Sequence, residues 1–246
     1  MKTPQEIEKM RTSGRIVAEV LKELKGAIRP GISTEELCRL AEVGIAEKEA
    51  VPAFKGYRGF PKSLCISLNE EVVHGIPSPR RKMKKGDIVS LDVGVLFQGY
   101  FGDAAITVPI GNISPQAQQL MEVTEKVLYL GIEKAQMGNF LFDISHAIQS
   151  YVESFGFSVV RAFVGHGIGT SLHEDPQVPN FGLPGRGPRL KEGMVLAIEP
   201  MVNEGCSEVE VLEDNWTVVT ADRALSAHFE HTIVITHRGP EILTLL

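Results

Sequence analysis

The sequence predicts an α+β fold with two similar halves, in which helices cover an inner antiparallel sheet. Two observations indicate this: the order helix, helix, strands occurs twice, and residues 107 positions apart match in several places. The shift aligns Val20-Leu21 with Val127-Leu128, Gly31 with Gly138, and Glu36-Leu37 with Asp143-Ile144. Such matches arise easily by chance, so the repeated element order is the stronger observation. We expect one domain over residues 1–246, with halves at about 1–110 and 111–246.

Capping signals locate the helices. Thr3 precedes Pro4, and Glu6 follows Thr3 by three residues, which is typical of a capping box. Ser33 or Thr34 is the expected cap of a second helix, and helical spacing returns after Ser114. A further helix is expected over about 143–155. Runs rich in Ile, Val and Leu predict strands over 64–73, 87–97, 100–109, 158–164, 194–202, 209–220 and 228–236.

Composition excludes several classes of protein. With 43% hydrophobic and 23% charged residues the chain is typical of a globular protein, and its net charge of -6 disfavours nucleic acid as a partner. The one basic run, over 80–85, reads as a solvated turn. Three cysteines, Cys38, Cys65 and Cys206, are too few and too scattered for a secreted disulfide framework. No run resembles a signal peptide or a membrane span, so we expect a cytoplasmic protein without a membrane partner.

Two aspartates lie in neighbouring predicted strands. A charge such as Asp92 inside an apolar strand costs several kcal/mol unless it is paired or bound to a metal ion. A hairpin turning around Phe97 and Gln98 would place residues whose numbers sum to 195 opposite each other, so that Asp92 would face Asp103 directly. Their Cβ atoms would then lie about 5 Å apart, and two divalent ions about 3.5–4 Å apart would fit between the carboxylates. The alternative is a surface hairpin with two solvated aspartates.

The second half contributes three more candidate ligands. Glu199 ends an apolar strand, Glu230 precedes another, and His166 lies in a glycine-rich stretch where the backbone can approach a ligand closely. A lone histidine is more often structural, so His166 gains its meaning from the set. Four carboxylates and one imidazole suit Mn²⁺, Fe²⁺ or Co²⁺ better than a thiolate-type zinc site. The sequence therefore predicts two divalent cations.

Several stretches with the same residues resemble the type I methionine aminopeptidases, and the resemblance covers about 6–244. The motifs that carry it are Phe60-Pro61-Lys62-Ser63-Leu64-Cys65-Ile66-Ser67, Val73-His74-Gly75-Ile76-Pro77, Gly86-Asp87-Ile88-Val89 through Asp92, Gly165-His166-Gly167-Ile168-Gly169 through His173-Glu174, Ile198-Glu199-Pro200-Met201, and Phe229-Glu230-His231-Thr232. The resemblance implies a pita-bread fold, two pseudo-symmetric halves around a dinuclear metal site.

The resemblance also implies the ligand set. Asp92 and Asp103 would be metal ligands, Asp103 and Glu230 would bridge both ions, and His166 and Glu199 would complete the shell of one ion. Cobalt, manganese and iron are the foremost candidates, with zinc and nickel as further ones, because the same ligands accept several ions.

The implied activity is removal of the N-terminal methionine from nascent proteins whose second residue is small. A metal-activated hydroxide would attack the first peptide bond. Glu199 would shuttle the proton, His173 would polarise the carbonyl oxygen, and His74 would assist the leaving nitrogen. Without the resemblance, both histidines would read as turn or core residues.

The resemblance assigns Tyr57, Phe60, Cys65 and Trp216 to an apolar pocket for the methionine side chain, where sulfur–aromatic contacts are favourable. Without it, these residues would read as ordinary core. The chain departs from the pattern at four positions: Phe54, Leu172, Ala197 and His228. These departures bear on the pocket rim and on hydrogen bonding around the metals, and none removes a ligand.

Other functions remain as alternatives. A proline-directed peptidase of the prolidase or aminopeptidase P type would share the fold, and a pita-bread protein without metals would bind peptides only. The first usually carries a separate N-terminal domain, and the second predicts a missing ligand, whereas all five are present. The expected partners are nascent polypeptide N-termini near the ribosome, and a monomer fits the family.

Overall fold

A computed structural model describes residues 1–245, and this part of the chain contains four α-helices. They are α1 (Pro4–Ala27), α2 (Thr34–Glu47), α3 (Pro115–Lys134) and α4 (Leu141–Ser154). The predicted caps are confirmed: Thr3 and Ser33 form capping boxes with Glu6 and Glu36, and the Ser114 hydroxyl accepts from the Ala117 amide. No helix in residues 1–245 is long and apolar enough to cross a membrane.

The strands form one large sheet and two small ones, and every pairing is antiparallel. The strands are β1 (Val51–Pro52), β2 (Cys65–Leu68), β3 (Glu71–Val73), β4 (Ile88–Phe97), β5 (Tyr100–Pro109), β6 (Ser158–Val159), β7 (Gly165–Gly167), β8 (Glu174–Val178), β9 (Val195–Ile198), β10 (Met201–Asn203), β11 (Val209–Val211), β12 (Val218–Thr220), β13 (Ser226–His228), β14 (Glu230–Thr236) and β15 (Gly239–Ile242). The nine-stranded sheet runs β1-β4-β5-β14-β9-β7-β8, with β2 on β4 and β15 on β14. The small sheets are β13-β10-β6 and β11-β12-β3.

Each helix pair covers its own part of the large sheet. Helices α1 and α2 bury Val17 and Leu37 in one apolar cluster with Leu91 of β4. Helices α3 and α4 bury residues such as Val127 in a second cluster with Leu196 of β9. The α+β prediction of outer helices on an inner antiparallel sheet is confirmed.

The spacing of 107 residues recurs in the bounds of the elements. Helix α4 begins and ends 107 residues after α2, and β6 begins and ends 107 residues after β1. The N-terminal turn is repeated too, because Glu36 accepts from the Ser33 amide while Asp143 accepts from the Phe140 amide. The division into halves at about residue 110 stays a prediction.

Five of the predicted strands are shorter than expected or split. The run over 64–73 is interrupted at Asn69, which has a left-handed φ of 54°. Pro200, which has no amide hydrogen, separates β9 from β10. A turn at Asn215 separates β11 from β12, and β6 ends at Val159. At Phe229 the chain passes from the small sheet of β13 to the large sheet of β14.

The predicted register of the β4–β5 hairpin is wrong by two residues. Asp92 pairs with Ala105, and Asp103 pairs with Gly94. The turn is formed by Gln98 and Gly99, whose φ values of 48° and 82° suit a two-residue turn with both central residues left-handed. Because the error is an even number of residues, both aspartates still lie on one face, as diagonal rather than direct neighbours.

Candidate metal centre

Sheet register places the predicted ligands in two adjacent rows on one face. In the first row, Asp92 of β4 lies opposite Ala105 of β5, which lies opposite Glu230 of β14. Opposed residues share a face, and the small side chain of Ala105 leaves space between the two acids. Cys65 of β2 extends the row on the other side of Asp92.

The second row lies two residues away on the same strands, and therefore on the same face. Asp103 of β5 lies opposite Gly94 of β4. Ala197 of β9 lies opposite both Thr232 of β14 and His166 of β7. Small residues again separate the chemically active ones. The space above Ala197 and Gly94 is therefore open to other groups.

One pocket brings together all the residues that the sequence singles out. Its lining includes the five predicted ligands, the two further histidines and the four pocket residues: Asp92, Asp103, His166, Glu199, Glu230, His74, His173, Tyr57, Phe60, Cys65 and Trp216. Within it, ligand atoms of Asp103, His166 and Glu230 all lie within 4.8 Å of one another. Their roles as ligands and catalysts stay predictions, but their convergence is a property of the fold.

The four carboxylates repel one another. Burial raises the pKa of Asp92 to about 7. Burial also raises the pKa of Asp103 well above its usual value, and the charges of Glu230 and Asp92 add to this. The pKa values of Glu199 and Glu230 are raised in the same way, by burial first and by neighbouring carboxylates second. A cation among these groups would remove the repulsion.

His166 is held in the form that can bind a metal ion. Its Nδ1 lies 2.9 Å from the carbonyl oxygen of Gly167, which can only accept a hydrogen bond. Nδ1 therefore carries the proton, and Nε2 keeps its lone pair. That Nε2 lies 3.4 Å from Oε1 of Glu199. A lone pair and a carboxylate oxygen at this distance are both acceptors, so they favour a cation between them.

Unpartnered oxygens show that the residues fit a metal group. Asp92 Oδ1, Asp103 Oδ1 and Glu230 Oε1 are buried and have no hydrogen-bond partner among the described residues. Buried polar atoms are rarely left without partners in folded proteins. Carboxylate oxygens with one imidazole nitrogen form the donor set of Mn²⁺, Fe²⁺ or Co²⁺. The pocket therefore suits divalent ions.

Two histidines line the pocket beside the carboxylates. His173 Nδ1 lies 2.9 Å from the Tyr57 hydroxyl, and its ring lies 4.1 Å from that of His166. Desolvation lowers the pKa of His173 to about 3, and the neighbouring His166 and Arg58 contribute. Burial lowers the pKa of His74 to about 4. Both imidazoles are neutral at physiological pH. His74 also has a left-handed φ of 61°, which is costly for a residue with a Cβ and is found most often at functional sites.

Aromatic rings enclose the apolar part of the pocket. Phe60 and Trp216 meet edge to face with centroids 5.2 Å apart, and Trp216 meets His74 in the same way at 6.2 Å. Cys65 lies in the same apolar cluster as Phe60. Burial raises the pKa of its thiol well above the usual value, so the sulfur is an inert part of the wall.

The departure at Phe54 has a partner in the structure. Phe54 is buried and lines the pocket, and its ring lies over Gly94. A Cβ at residue 94 would lie 2.5 Å from Cε1 of that ring, closer than real atoms approach. The bulky Phe54 is therefore accommodated by a glycine directly opposite Asp103.

Two further residues border the pocket without having been predicted as site residues. They are Leu172, one of the four departures, and Arg58. Arg58 has a left-handed φ of 49°, and its guanidinium carbon lies 5.4 Å from the centroid of the Tyr57 ring. The flanking Gly56 and Gly59 indicate a tight turn, but they do not reveal which way the arginine points.

The fold and site define a class of enzyme. The model of metallopeptidase family M24 matches residues 8–237, a range that includes all the predicted ligands. The chain therefore belongs to metallopeptidase family M24. This confirms the predicted class of metal-dependent peptidase.

Individual relatives are more specific. Methionine aminopeptidase 1 of Bacillus subtilis is 58% identical over 243 residues, which cover 99% of this chain and 98% of that protein. The crystal structure of methionine aminopeptidase from Thermotoga maritima matches with a TM-score of 0.98 at 50% identity, covering 100% of this chain and 98% of that one. Prolidase from Pyrococcus furiosus matches with a TM-score of 0.82 at 22% identity over 65% of its own length, and this likeness shows the fold alone. Together these matches confirm the pita-bread fold.

Proposed function

We propose that this chain is a methionine aminopeptidase, which removes the N-terminal methionine from polypeptides whose second residue is small. The observation that supports it most is one pocket that joins a carboxylate-rich metal centre to an aromatic-walled apolar chamber. The identity of 50–58% to proteins named methionine aminopeptidase over the whole chain adds independent support.

Five residues would hold two divalent ions: Asp92, Asp103, His166, Glu199 and Glu230. When bound, such ions supply Lewis acidity, which lowers the pKa of water and polarises a carbonyl oxygen. The oxygen-rich donor set favours manganese, iron or cobalt, with zinc and nickel as further candidates.

The remaining chemistry falls to side chains at the pocket wall. Glu199 takes a proton from the attacking water and passes it towards the leaving amine. The Tyr57 hydroxyl donates to Nδ1 of His173, which leaves the proton of this neutral imidazole on Nε2, where it can donate to the carbonyl oxygen. His74, also neutral, hydrogen-bonds the peptide group and assists the leaving nitrogen.

The apolar chamber accounts for the choice of methionine. Phe60 and Trp216 offer ring edges and faces to a thioether, and each sulfur–aromatic contact is worth about 0.3–1.5 kcal/mol. Tyr57 and Cys65 complete the chamber, and Phe54 and Leu172 narrow it further. We expect the natural substrates to be nascent polypeptides in the cytoplasm, near the ribosome, and the enzyme to act as a monomer.

The test compares peptides with metal-reconstituted protein. We expect Mn²⁺-loaded enzyme to release methionine from Met-Ala-Ser, to act poorly on Met-Lys-Ser, and to leave Ala-Pro-Ala intact. Cleavage of Ala-Pro-Ala without release of methionine would instead identify a proline-directed peptidase. Tight binding of these peptides without any cleavage would identify a peptide-binding protein.

A variant pair tests the role of His173. We expect His173→Ala to lower kcat by about 10²–10⁴-fold, the usual contribution of a positioned proton donor, with metal content unchanged. The matched control is His146→Ala, because His146 is exposed on α4. Loss of the metal ions in His173→Ala would contradict a hydrogen-bonding role and indicate that His173 is a ligand.

A further inference from the structure

The imidazole of His228 lies behind Glu199 and has no part in the proposed mechanism. Its side chain is buried, and its Nε2 has no hydrogen-bond partner among residues 1–245. The nearest charged atom to this nitrogen is Oε2 of Glu199, at 4.0 Å. His228 does not line the pocket, so its ring reaches the site only through Glu199.

The main chain of His228 is fixed on both sides. The Thr107 hydroxyl donates to the His228 carbonyl oxygen at 2.7 Å and accepts from the His228 amide at 2.9 Å. On β13, His228 also pairs with Met201 of β10. These bonds hold the imidazole in one place against the carboxylate.

Glu199 thus lies between two imidazoles. Oε1 faces Nε2 of His166 at 3.4 Å, and Oε2 faces Nε2 of His228 at 4.0 Å. The main chain of Glu199 is held separately, because the Asn180 side-chain amide donates to its carbonyl oxygen at 3.0 Å. Only the orientation of the carboxylate is left to be set.

The two imidazoles differ in what they can offer. Nε2 of His166 carries a lone pair, because Nδ1 donates to Gly167. Nε2 of His228 is free of any such constraint, and with the proton on this nitrogen a neutral imidazole becomes a donor. A side-chain rotation that closes about 1 Å would bring Oε2 within hydrogen-bond range.

We propose that His228 is a positioning residue that donates a hydrogen bond from Nε2 to Oε2 of Glu199 and thereby aims Oε1 at the metal centre. The inference rests on the metal centre of the proposed function. Groups that orient a metal ligand in this way commonly change metal affinity by 10–100-fold when they are removed.

Two variants separate the hydrogen bond from the volume of the ring. His228→Leu removes every donor, whereas His228→Gln keeps an amide donor on a flexible side chain. Chelator-stripped proteins are titrated calorimetrically with MnCl₂. We expect the leucine variant to weaken the Kd of at least one ion by about 10-fold or more, and the glutamine variant to restore most of it.

Three further measurements accompany the titration. Unfolding in chelator should show the leucine variant to be no less stable than wild type, because it removes a buried nitrogen without a partner. With saturating Mn²⁺, the same variant should have a lower kcat for Met-Ala-Ser with KM near that of wild type. The exposed His146→Leu is the control and should change none of these values.

A spectroscopic test needs no folded variant. Long-range ¹H–¹⁵N NMR spectra of the Mg²⁺-loaded wild type report which ring nitrogen of His228 carries the proton. Protonation at Nε2 is expected, and a ring with its only proton on Nδ1 would overturn the proposal. Equal Mn²⁺ affinity and equal kcat in wild type and His228→Leu would overturn it while leaving the peptidase function intact. A wild type that binds no Mn²⁺ would overturn both.

Discussion

At the scale of single residues, the metal centre is a set of buried acids whose mutual repulsion opposes folding until a cation is present. Burial and neighbouring charges raise the pKa values of Asp92, Asp103, Glu199 and Glu230. A carboxyl group whose pKa is raised on folding destabilises the folded state at pH values above its unfolded pKa. Neutral pH lies in that range. The site is therefore stabilised by its ligand rather than by its own contacts.

Asp103→Asn should make the metal-free protein more stable while abolishing its response to metal. In chelator we expect Tm to rise by about 2–4 °C, which corresponds to about 1 kcal/mol in a chain of this size. Added Mn²⁺ should raise Tm of wild type but not of the variant, and methionine release should be lost. The control is Asp175→Asn, because Asp175 is exposed and its carboxylate makes no hydrogen bond within residues 1–245. A lower Tm for metal-free Asp103→Asn would contradict this electrostatic account.

Residue types in the sequence identify candidates better than they identify contacts. A carboxylate such as Asp92 inside an apolar strand needs a partner, so it is recognisable as a candidate from the sequence alone. Arg58 is not, because its place at the pocket depends on a left-handed turn. The contact of His228 with Glu199 joins residues from the ends of two different strands, and no local pattern predicts it.

At the scale of elements, the hairpin shows which property of a sheet tolerates error. The predicted turn was misplaced by one residue, which shifts the register by two. An even shift keeps every side chain on its face, so Asp92 and Asp103 still converge, whereas a shift of one would have turned one of them away. Helix starts were predicted more closely than strand ends, because caps are local whereas strand ends depend on distant partners.

Helix α1 packs so closely on its neighbours that a single methyl group should be felt. A Cβ at Gly14 would lie 2.2 Å from the carbonyl oxygen of Leu243, so Gly14→Ala should destabilise the protein by about 1–3 kcal/mol. Gly26 lies in the same helix with nothing within 4 Å of its position, so Gly26→Ala should stabilise by about 0.5–1 kcal/mol. Urea unfolding of both variants measures the difference. Effects of the same sign would show that helix propensity, and not packing, governs α1.

The capping box of α1 should give a defined acid response. Hydrogen bonds from the Thr3 amide and hydroxyl and from the Tyr100 hydroxyl lower the pKa of Glu6 from 4.5 to about 2. A lowered carboxyl pKa contributes stability above the unfolded pKa, and that contribution is lost as pH falls through the folded pKa. Glu6→Gln mimics the protonated form. The Tm difference between wild type and Glu6→Gln should therefore be complete above pH 4.5 and shrink towards pH 2.

The matched control for this acid response is Glu213→Gln, at an exposed loop position. Its Tm difference from wild type should not shrink between pH 6 and pH 2 as the difference for Glu6→Gln does. A Glu6→Gln difference that stays constant down to pH 2 would show that the carboxylate charge adds nothing to the cap.

At the scale of the whole molecule, the repeat and the site are connected. The spacing that relates α2 to α4 also relates Asp92 to Glu199, so the two halves contribute acids from corresponding positions. The sequence predicted two halves with a cleft between them, and the family match at residues 8–237 confirms the class. The order of strands was beyond reach, because Phe229 switches sheets between β13 and β14 and only long-range pairing decides such a switch.

The most direct measurement of the central claim is methionine release from Met-Ala-Ser as chelator-stripped protein is titrated with Mn²⁺. We expect no release without metal, a rise that saturates as the ions bind, and no rise at any Mn²⁺ concentration in Asp103→Asn. Methionine release at an undiminished rate in excess chelator, or full activity of Asp103→Asn, would contradict a metal-dependent mechanism at this site.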